Sequence, residues 1–282
     1  MHVSLIQNNA GLDRAKNLAD VDALVAKAID AGRTDLVVLP EYFAYYGGAA
    51  KGYVAHGEPL SPDGETYGAV QAMARRHRVW IHAGSLLEHI PGEARVHNTT
   101  VVFDREGREV ARYRKIHLFD IVAPDGHAHR ESATVKPGDE VVTYDLEGLT
   151  VGCSICYDLR FSELFVALAN AGADVIVVPA AFALMTGKDH WEVLLRARAI
   201  ETQTYVLAAA QCGAYEAGSR PQYNYGHSLV CDPWGHVVAR ASDGVGTVAT
   251  RLDRDVIARV RSQIPMRAHR RLGLSPSLST TR

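Results

Sequence analysis

Two runs of this chain are apolar on consecutive residues, and they constrain its fold more than any other feature. Residues 36–39 read LVVL and residues 175–178 read VIVV. A strand with two apolar faces must be covered on both sides, as in an α/β sheet. Residues 13–31 carry apolar side chains at helical spacing and stop before Gly32. The pattern therefore predicts an α/β protein whose sheets are covered by helices.

The other apolar runs divide into predicted strands and helices. Strands are predicted at residues 3–8, 36–41, 79–87, 98–104, 110–118, 149–157, 174–180, 204–211, 227–232 and 246–252. A helix is predicted over 162–171 with Ser162 as its cap, and another opens at Asp189, where Asp189-x-x-Glu192 forms a capping-box pattern. No Ser/Gly linker or charge block divides the chain. One domain over residues 1–271 is predicted, with the Ser/Thr-rich residues 272–282 as a loose tail.

The composition argues against several classes of partner. The chain has 282 residues, of which 47% are hydrophobic and 22% charged, with a formal net charge of −2. This balance gives no reason to expect a nucleic acid or an anionic membrane as partner. No apolar run reaches transmembrane length, and the first residues do not resemble a signal peptide. Four cysteines, mostly in apolar strand-like runs, suit a reducing compartment, so the cytoplasm is the expected location.

Cys156 stands where a largely apolar run, residues 149–155, gives way to the letters YDLR. Ligands of α/β sheets bind at the carboxyl ends of strands, and partial exposure in a field that favours the thiolate suits a nucleophile. Cys153, Cys212 and Cys231 are expected to be buried apolar residues. A redox or zinc role for the Cys153-x-x-Cys156 pair is disfavoured. Residues three apart in a strand point to opposite faces, and no second C-x-x-C pair completes a zinc site.

Two other apolar segments bring charged groups to strand ends. Glu41 follows the letters VVLP, and a carboxylate buried beside such a run is costly unless a neighbouring group uses it. Lys115 lies in RYRK, a pattern that more often marks a solvated edge strand. Strand alternation places Tyr113, Lys115 and His117 on one face, and both faces are mixed. A thiol, a carboxylate and an ammonium are the groups of a covalent hydrolase, although the pattern alone leaves Lys115 open.

Three motifs occur in an order that is typical of one superfamily. LPE, YRKIHLFD and ICYDLRF contain Glu41, Lys115 and Cys156 in turn, and they resemble the Glu, Lys and Cys motifs of the nitrilase (carbon–nitrogen hydrolase) superfamily. The resemblance extends over residues 3–271 and includes HWEVLLRARAIETQ at 190–203 and YGHSLVCDPWG at 225–235. The branch that the chain resembles most contains amidases that act on deaminated glutathione and on omega-amides of 2-oxo acids.

The resemblance implies a fold and a set of site residues. The implied fold is a four-layer α-β-β-α sandwich of two stacked mixed sheets. Cys156 is expected to be the nucleophile, Glu41 the general base and Lys115 a donor to the developing oxyanion. Glu131 is expected to hold Lys115, and the backbone N–H of Tyr157 to be a second oxyanion donor. No organic cofactor is expected.

The histidines raise a metal site as an alternative. His127 and His129 form an H-x-H pair in a polar loop, as in some zinc hydrolases, but no third ligand follows at a recognisable spacing. A solvated loop is favoured, so no metal is expected.

Residues near the motifs are candidates for substrate recognition. Arg160 follows the nucleophile by four residues and is expected to bind a substrate carboxylate, with a salt bridge to Asp158 or Glu163 as an equal alternative. The other side chains expected to border the pocket are Tyr42, Phe43, Thr186 and His190.

These features predict an amidase that converts a carboxylate-bearing amide, such as deaminated glutathione, to an acid and ammonia through a thioester. The enzyme alternatives are an omega-amidase for 2-oxoglutaramate and an N-carbamoyl amino-acid hydrolase. An inactive ligand-binding scaffold is the alternative of another class, and the intact trio argues against it. A homodimer is expected through the helix that spans 189–203, with Trp191 either in the core or at the interface.

Overall fold

The computed structural model describes residues 1–122, 126, 128–217 and 220–271. The predicted tail over 272–282 lies outside these ranges. The strands are, in chain order, β1 (His2–Gln7), β2 (Leu36–Val38), β3 (Trp80–His82), β4 (Leu86–His89), β5 (Val96–Phe103), β6 (Glu109–Arg114), β7 (Asp120–Val122), β8 (Ala128–Arg130), β9 (Thr143–Leu146), β10 (Leu149–Cys153), β11 (Val175–Val177), β12 (Tyr205–Ala208), β13 (Cys212–Ala217), β14 (Arg220–Tyr225), β15 (Leu229–Cys231), β16 (Val237–Arg240) and β17 (Gly246–Arg251).

The helices are α1 (Arg14–Asp30), α2 (Ala50–Ala55), α3 (Glu65–His77), α4 (Ser162–Asn170), α5 (Leu184–Thr202), α6 (Arg254–Gln263) and α7 (Met266–His269). Short 3₁₀ helices cover Glu131–Ala133 and Cys156–Arg160. Within the described ranges, no helix combines the length and the apolar character that a membrane crossing requires.

Two mixed sheets form the centre of the fold. The first has the order β17-β1-β2-β3-β5-β4, with β6 also paired to β5, and the second has the order β16-β15-β12-β11-β10-β9. The parallel pairs β1–β2, β2–β3, β10–β11 and β11–β12 lie in the middle, whereas the outer pairs are antiparallel. Small hairpins, β7–β8 and β13–β14, lie outside both sheets.

The alternation of side chains in β2 shows how the layers are arranged. Leu36 and Val38 belong to a core cluster that also contains Val151 and Val177 of the second sheet, so the two sheets are stacked. Val37 points the other way, into a cluster formed with α1 and α3. The second sheet is covered in the same manner by apolar residues of α4 and α5. The expected four-layer sandwich is confirmed, and both faces of the LVVL run are buried.

The helix predicted over 13–31 is confirmed as α1. The Asp13 side chain accepts a hydrogen bond from Lys16 N at 3.0 Å, which satisfies one of the free N–H groups at the helix start. Val21, Val25 and Ala28 form its buried face.

Most of the predicted strands are shorter than expected, and two of them end in turns that matter for the site. The run over 79–87 is divided into β3 and β4 by a turn at Gly84, whose φ is +43°. The run over 149–157 ends at Cys153, so Cys156 lies in a turn beyond the strand rather than on its opposite face. Periodicity could not distinguish a strand from the turn that follows it, because Ile155 is apolar and fully buried as well.

Two predicted helix caps are wrong. Phe161 precedes α4 without a side-chain cap, and Ser162 is already helical. The next helix, α5, begins at Leu184, so Asp189 lies inside it. Trp191 is fully buried and donates from Nε1 to the His227 carbonyl at 2.9 Å. It is therefore a core residue of its own chain and not an interface residue.

Candidate active site

A cavity of about 970 Å³ opens where strands of both sheets end. Glu41 follows β2 and Lys115 follows β6 of the first sheet, whereas Cys156 follows β10 of the second. All three residues line the cavity together with Glu131. The structure therefore brings together the charged groups and the thiol that the sequence contains in separate motifs.

Cys156 is presented by a sharp turn. It begins the 3₁₀ helix Cys156–Arg160, and its backbone φ is +47°, in the left-handed region that residues other than glycine rarely occupy. Its N–H donates to the Pro179 carbonyl at 2.8 Å, which ties the turn to the segment after β11. The residue is 8% exposed and lines the cavity. The turn thus directs a mostly buried thiol towards the solvent-accessible space.

The Glu41 carboxylate is buried and accepts hydrogen bonds at both oxygens. Oε1 accepts from Lys115 Nζ at 3.0 Å and from Asn98 Nδ2 at 2.8 Å. Oε2 accepts from the backbone N–H of Ala181 at 2.9 Å. These donors offset the cost of burying the charge. The same carboxylate lies close enough to the Cys156 thiol to raise its pKa.

The loop that carries Glu41 depends on a close backbone approach at Gly84. A Cβ atom at that position would lie 1.9 Å from the Pro40 carbonyl oxygen, so no other residue fits. The neighbouring Ser85 accepts a hydrogen bond from Tyr42 N at 3.1 Å through its hydroxyl. The β3–β4 turn therefore fixes the backbone on both sides of Glu41.

Lys115 is buried between two carboxylates. Its Nζ donates to Glu131 Oε2 at 2.9 Å and to Oε1 at 3.1 Å, in addition to Glu41 Oε1. Glu131 is itself held by Phe119 N at 2.6 Å and by the Tyr42 hydroxyl at 3.2 Å. The structure places Glu131 in the contact with Lys115 that the superfamily resemblance implied.

Charge and burial determine the resting protonation of the lysine and the thiol. Burial alone would lower the pKa of Lys115, but the charges of Glu131 and Glu41 outweigh it and hold this pKa well above its ordinary value. Burial raises the pKa of Cys156, and the Glu41 charge raises it further against the opposing effect of Lys115. The resting thiol is therefore protonated, whereas the sequence suggested a field that favours the thiolate. Its activation requires a base, and Glu41 lines the same cavity.

Asp158 joins the nucleophile turn to the segment that carries Lys115. Its Oδ2 accepts from the Tyr113 hydroxyl at 2.7 Å and from Ile155 N at 2.8 Å. Its Oδ1 accepts from His117 N at 3.0 Å and contacts His117 Nδ1 at 2.7 Å. Tyr113 and His117 lie on either side of Lys115 in the chain. Asp158 is therefore a connector that sequence reasoning treated only as a possible partner of Arg160.

The backbone N–H of Tyr157 is free to bind a ligand. The first hydrogen bond of the 3₁₀ helix is donated by Asp158 N to the Ile155 carbonyl, and Tyr157 N has no acceptor among the described residues. Tyr157 also lines the cavity. This geometry is compatible with the predicted oxyanion donor.

The four predicted substrate-binding residues divide into two pairs. Tyr42 and Thr186 line the cavity. Arg160 and His190 do not belong to the lining, and they contact each other instead, with Arg160 Nη1 at 3.3 Å from His190 Nδ1. The Arg160 guanidinium lies 5.4 Å from the centre of the Phe182 ring, which is part of the cavity wall. Neither predicted ion pair of Arg160 forms within the described ranges, because Asp158 is engaged elsewhere and Glu163 makes no salt bridge.

Aromatic side chains form much of the cavity wall. The predicted wall residue Phe43 is instead fully buried in the core. The aromatic residues that line the cavity besides Tyr42 are Tyr46, Tyr53, Phe119, Tyr157, Phe182 and Tyr215. The tyrosines that follow Glu41 in the sequence could have indicated that Tyr46 lines the cavity. Tyr215 reaches the cavity from the β13–β14 hairpin, and no sequence pattern indicated this hairpin.

The metal alternative depended on two loop histidines. His127 lies outside the described residues, and His129 lines the cavity with its ring centre 5.3 Å from that of Phe119. No three His, Cys, Asp or Glu side chains within the described ranges come together as metal ligands would.

The comparisons with known proteins agree with this geometry. The family described as carbon-nitrogen hydrolase matches residues 2–262. A deaminated glutathione amidase from Synechocystis sp. is 41% identical over 260 residues, covering 90% of this chain and 92% of that protein. The structure of Saccharomyces cerevisiae Nit3, a member of branch 10 of the nitrilase superfamily, is 30% identical with a TM-score of 0.84 and 94% coverage of both chains. A variant of the amidase from Nesterenkonia sp. AN1, with acrylamide added to its active-site cysteine, is 26% identical with a TM-score of 0.75, covering 95% of this chain and 99% of that chain.

The fold and the comparisons define a hydrolase, in which a thiol, a carboxylate and an ammonium meet in one cavity where strands of both sheets end. The chain belongs to the carbon–nitrogen hydrolase family, within the nitrilase superfamily. It is a hydrolase that acts on amide carbon–nitrogen bonds.

Proposed function

We propose that this protein is an amidase that hydrolyses a linear carboxamide through a thioester on Cys156. The observation that carries the proposal is that Glu41, Lys115 and Cys156 line one cavity, where the Glu41 carboxylate is paired with the Lys115 ammonium and acts electrostatically on the Cys156 thiol. Because the thiol is protonated at rest, the chemistry needs a base beside it.

Acylation begins with proton transfer from the Cys156 thiol to Glu41. The sulfur attacks the amide carbon, and the carbonyl oxygen becomes an oxyanion that accepts hydrogen bonds from Lys115 Nζ and Tyr157 N–H. The protonated Glu41 then gives its proton to the departing nitrogen, so the carbon–nitrogen bond breaks and ammonia leaves. The acyl group remains on sulfur as a thioester.

Deacylation uses the same carboxylate again. Glu41 takes a proton from water, and the resulting hydroxide attacks the thioester carbon. When the carbon–sulfur bond breaks, Glu41 returns the proton to sulfur and the carboxylic acid departs. One buried carboxylate thus acts as base, acid and base in turn, and the sum is amide plus water to acid plus ammonia.

For the substrate, we propose a carboxylate-bearing amide of the size of deaminated glutathione. The similar Synechocystis protein carries the name deaminated glutathione amidase. A cavity of about 970 Å³ has room for a peptide-like substituent beyond the amide. Its wall includes Arg130 as well as aromatic rings, and a guanidinium suits a carboxylate.

The test is ammonia release from deaminated glutathione, 2-oxoglutaramate and N-carbamoyl amino acids, measured with purified protein. We expect turnover of deaminated glutathione at the highest kcat/KM. Preference for either of the other substrates identifies the corresponding alternative enzyme, and ammonia release from none would indicate the inactive scaffold.

The nucleophile is tested with a matched pair of cysteine variants. Cys156→Ala should abolish turnover, whereas Cys153→Ala should retain it, because Cys153 is fully buried in β10 and does not line the cavity. Iodoacetamide should add a single mass increment to Cys156 in the wild type. Equal loss of activity in two normally folded variants would contradict the assignment of Cys156 as sole nucleophile.

A further inference from the structure

Asn98, in the middle of β5, holds three of the groups in the candidate active site. It is fully buried, and its Nδ2 lies 2.8 Å from Glu41 Oε1 and 3.4 Å from Glu131 Oε1. Its backbone carbonyl accepts a hydrogen bond from Lys115 N at 2.9 Å. No sequence motif had singled it out.

The two carboxylates share one buried cation. Lys115 Nζ donates to the same two oxygens that Asn98 contacts, Glu41 Oε1 at 3.0 Å and Glu131 Oε1 at 3.1 Å. One ammonium cannot neutralise two carboxylates, so the cluster keeps a net negative charge. Asn98 adds a donor at both oxygens without adding a positive charge.

The orientation of the Asn98 amide supports this interpretation. With Nδ2 directed at the glutamates, Oδ1 is buried and has no hydrogen-bond partner among the described residues. The opposite orientation would aim a carbonyl oxygen at two carboxylate oxygens. An unpaired buried acceptor is unfavourable, and such groups are rare where they serve no purpose. The Asn98 amide nitrogen therefore stabilises the carboxylates, while its own carbonyl oxygen has no hydrogen bond within the described residues.

We propose that Asn98 is a positioning residue, which holds Glu41 and Glu131 together around Lys115. This inference rests on the proposed function in that Glu41 is the base there. It assigns to the Asn98 side chain a second bridge between the two carboxylates, in addition to the one that Lys115 makes.

Groups from several elements surround Glu41. Those that face Glu41 or its partners are Lys115 after β6, Glu131 of its 3₁₀ helix, Cys156 after β10, the Ala181 N–H after β11, and the hydroxyls of Tyr42, Tyr46 and Tyr53. All of these remain in a variant of Asn98. A change in the pH profile of such a variant can therefore be assigned to the lost amide.

The experiment compares Asn98→Leu, which keeps the volume without the donor, with Asn98→Asp, which keeps the shape but adds a third carboxylate. Asn8→Leu is the matched control. Asn8 is also buried with an unpaired Oδ1, but its Nδ2 donates to the Phe43 carbonyl at 3.0 Å rather than to a carboxylate. Each variant is measured for thermal unfolding, for the rate of iodoacetamide alkylation of Cys156 between pH 5 and 9, and for kcat/KM across the same range.

The acid limb of both profiles should move to higher pH in Asn98→Leu, by about one pH unit, and further in Asn98→Asp, with kcat reduced about ten- to a hundredfold. Asn8→Leu should keep the wild-type profile even where its unfolding temperature falls. Profiles of both Asn98 variants that superimpose on that of the wild type would overturn the proposal. Alkylation needs no substrate, so an enzyme that releases no ammonia would refute the amidase assignment without removing this test.

Discussion

Asp158 offers the sharpest test of how the site is held together. Replacing it with alanine removes acceptors from the Tyr113 hydroxyl and the Ile155 N–H, both on fully buried residues. A buried donor left without a partner costs about 1–3 kcal/mol, so the two together predict a loss of about 2–6 kcal/mol in the free energy of unfolding. The contacts to His117 should contribute less, because its side chain is 22% exposed and water can replace them.

The same change should disturb catalysis in the protein that remains folded. Asp158 fixes the turn of Cys156 relative to the segment of Lys115, and a displacement of about 1 Å between reacting groups can cost about a hundredfold in rate. Urea denaturation gives the free energy of unfolding, and ammonia release below the unfolding transition gives kcat. Asp158→Asn keeps the shape and one acceptor, so its losses should be intermediate.

Asp145→Ala is the matched control for this prediction. Asp145 is exposed and accepts a hydrogen bond from Gly148 N at 3.2 Å, so its loss should change stability by no more than about 0.5 kcal/mol. A loss below about 1 kcal/mol in Asp158→Ala, with kcat unchanged, would refute the view that Asp158 couples the two segments.

Three further predictions concern charge and assembly. The folded-state pKa of Lys115 is raised above its usual 10.5, so the ion pairs of Lys115 stabilise the fold below pH 10.5 and lose this effect as the pH rises further. Urea denaturation from pH 8 to 11 should therefore show a fall in the free energy of unfolding above pH 10.5, and a constant free energy would contradict the prediction. Arg160→Ala should lower kcat/KM about ten- to a hundredfold for carboxylate-bearing amides and much less for a neutral amide, and Arg160→Lys should recover only part of this loss; if Arg130→Ala alone has this effect, the cation that lines the cavity binds the carboxylate. We expect a homodimer through the outer side of α5, where Val193 and Ile200 are 66% and 47% exposed, and sedimentation as a monomer at micromolar concentration would contradict it.

The sequence predicted an α/β protein because burial on two faces leaves a local signature, and the superfamily resemblance added the two stacked sheets. Residues 36–39 and 175–178 had to be covered on both sides, and the structure covers them with a second sheet and with helices. Apolar runs that end in polar residues pointed to Glu41 and Cys156, whereas Lys115 was assigned mainly from the resemblance, and the structure brings all three together. What the sequence could not supply is the order of strands, since pairs such as β1–β17 join residues that are far apart in the chain.

The residues that sequence reasoning missed act over long chain separations. Asn98 is 57 positions from Glu41 and 33 from Glu131, and the letters around it read as an ordinary strand. Trp191 illustrates the opposite error. Helical spacing showed that it lies on an apolar side of its helix, but spacing cannot tell whether that side faces the chain's own core or a partner.

Two of the six non-glycine residues with positive φ in the described ranges lie at the proposed base and nucleophile, in turns that the sequence did not indicate. Tyr42, directly after Glu41, has φ of +54°, and Cys156 has φ of +47°. A left-handed conformation costs a residue with a side chain about 1–3 kcal/mol, and it persists only where the surroundings enforce it. Here Ser85 Oγ accepts from Tyr42 N at 3.1 Å, and the Pro179 carbonyl accepts from Cys156 N at 2.8 Å. Since each partner follows the neighbouring strand of the same sheet, each turn forms with its own sheet, and the thiol meets its proposed base only when the two sheets are stacked.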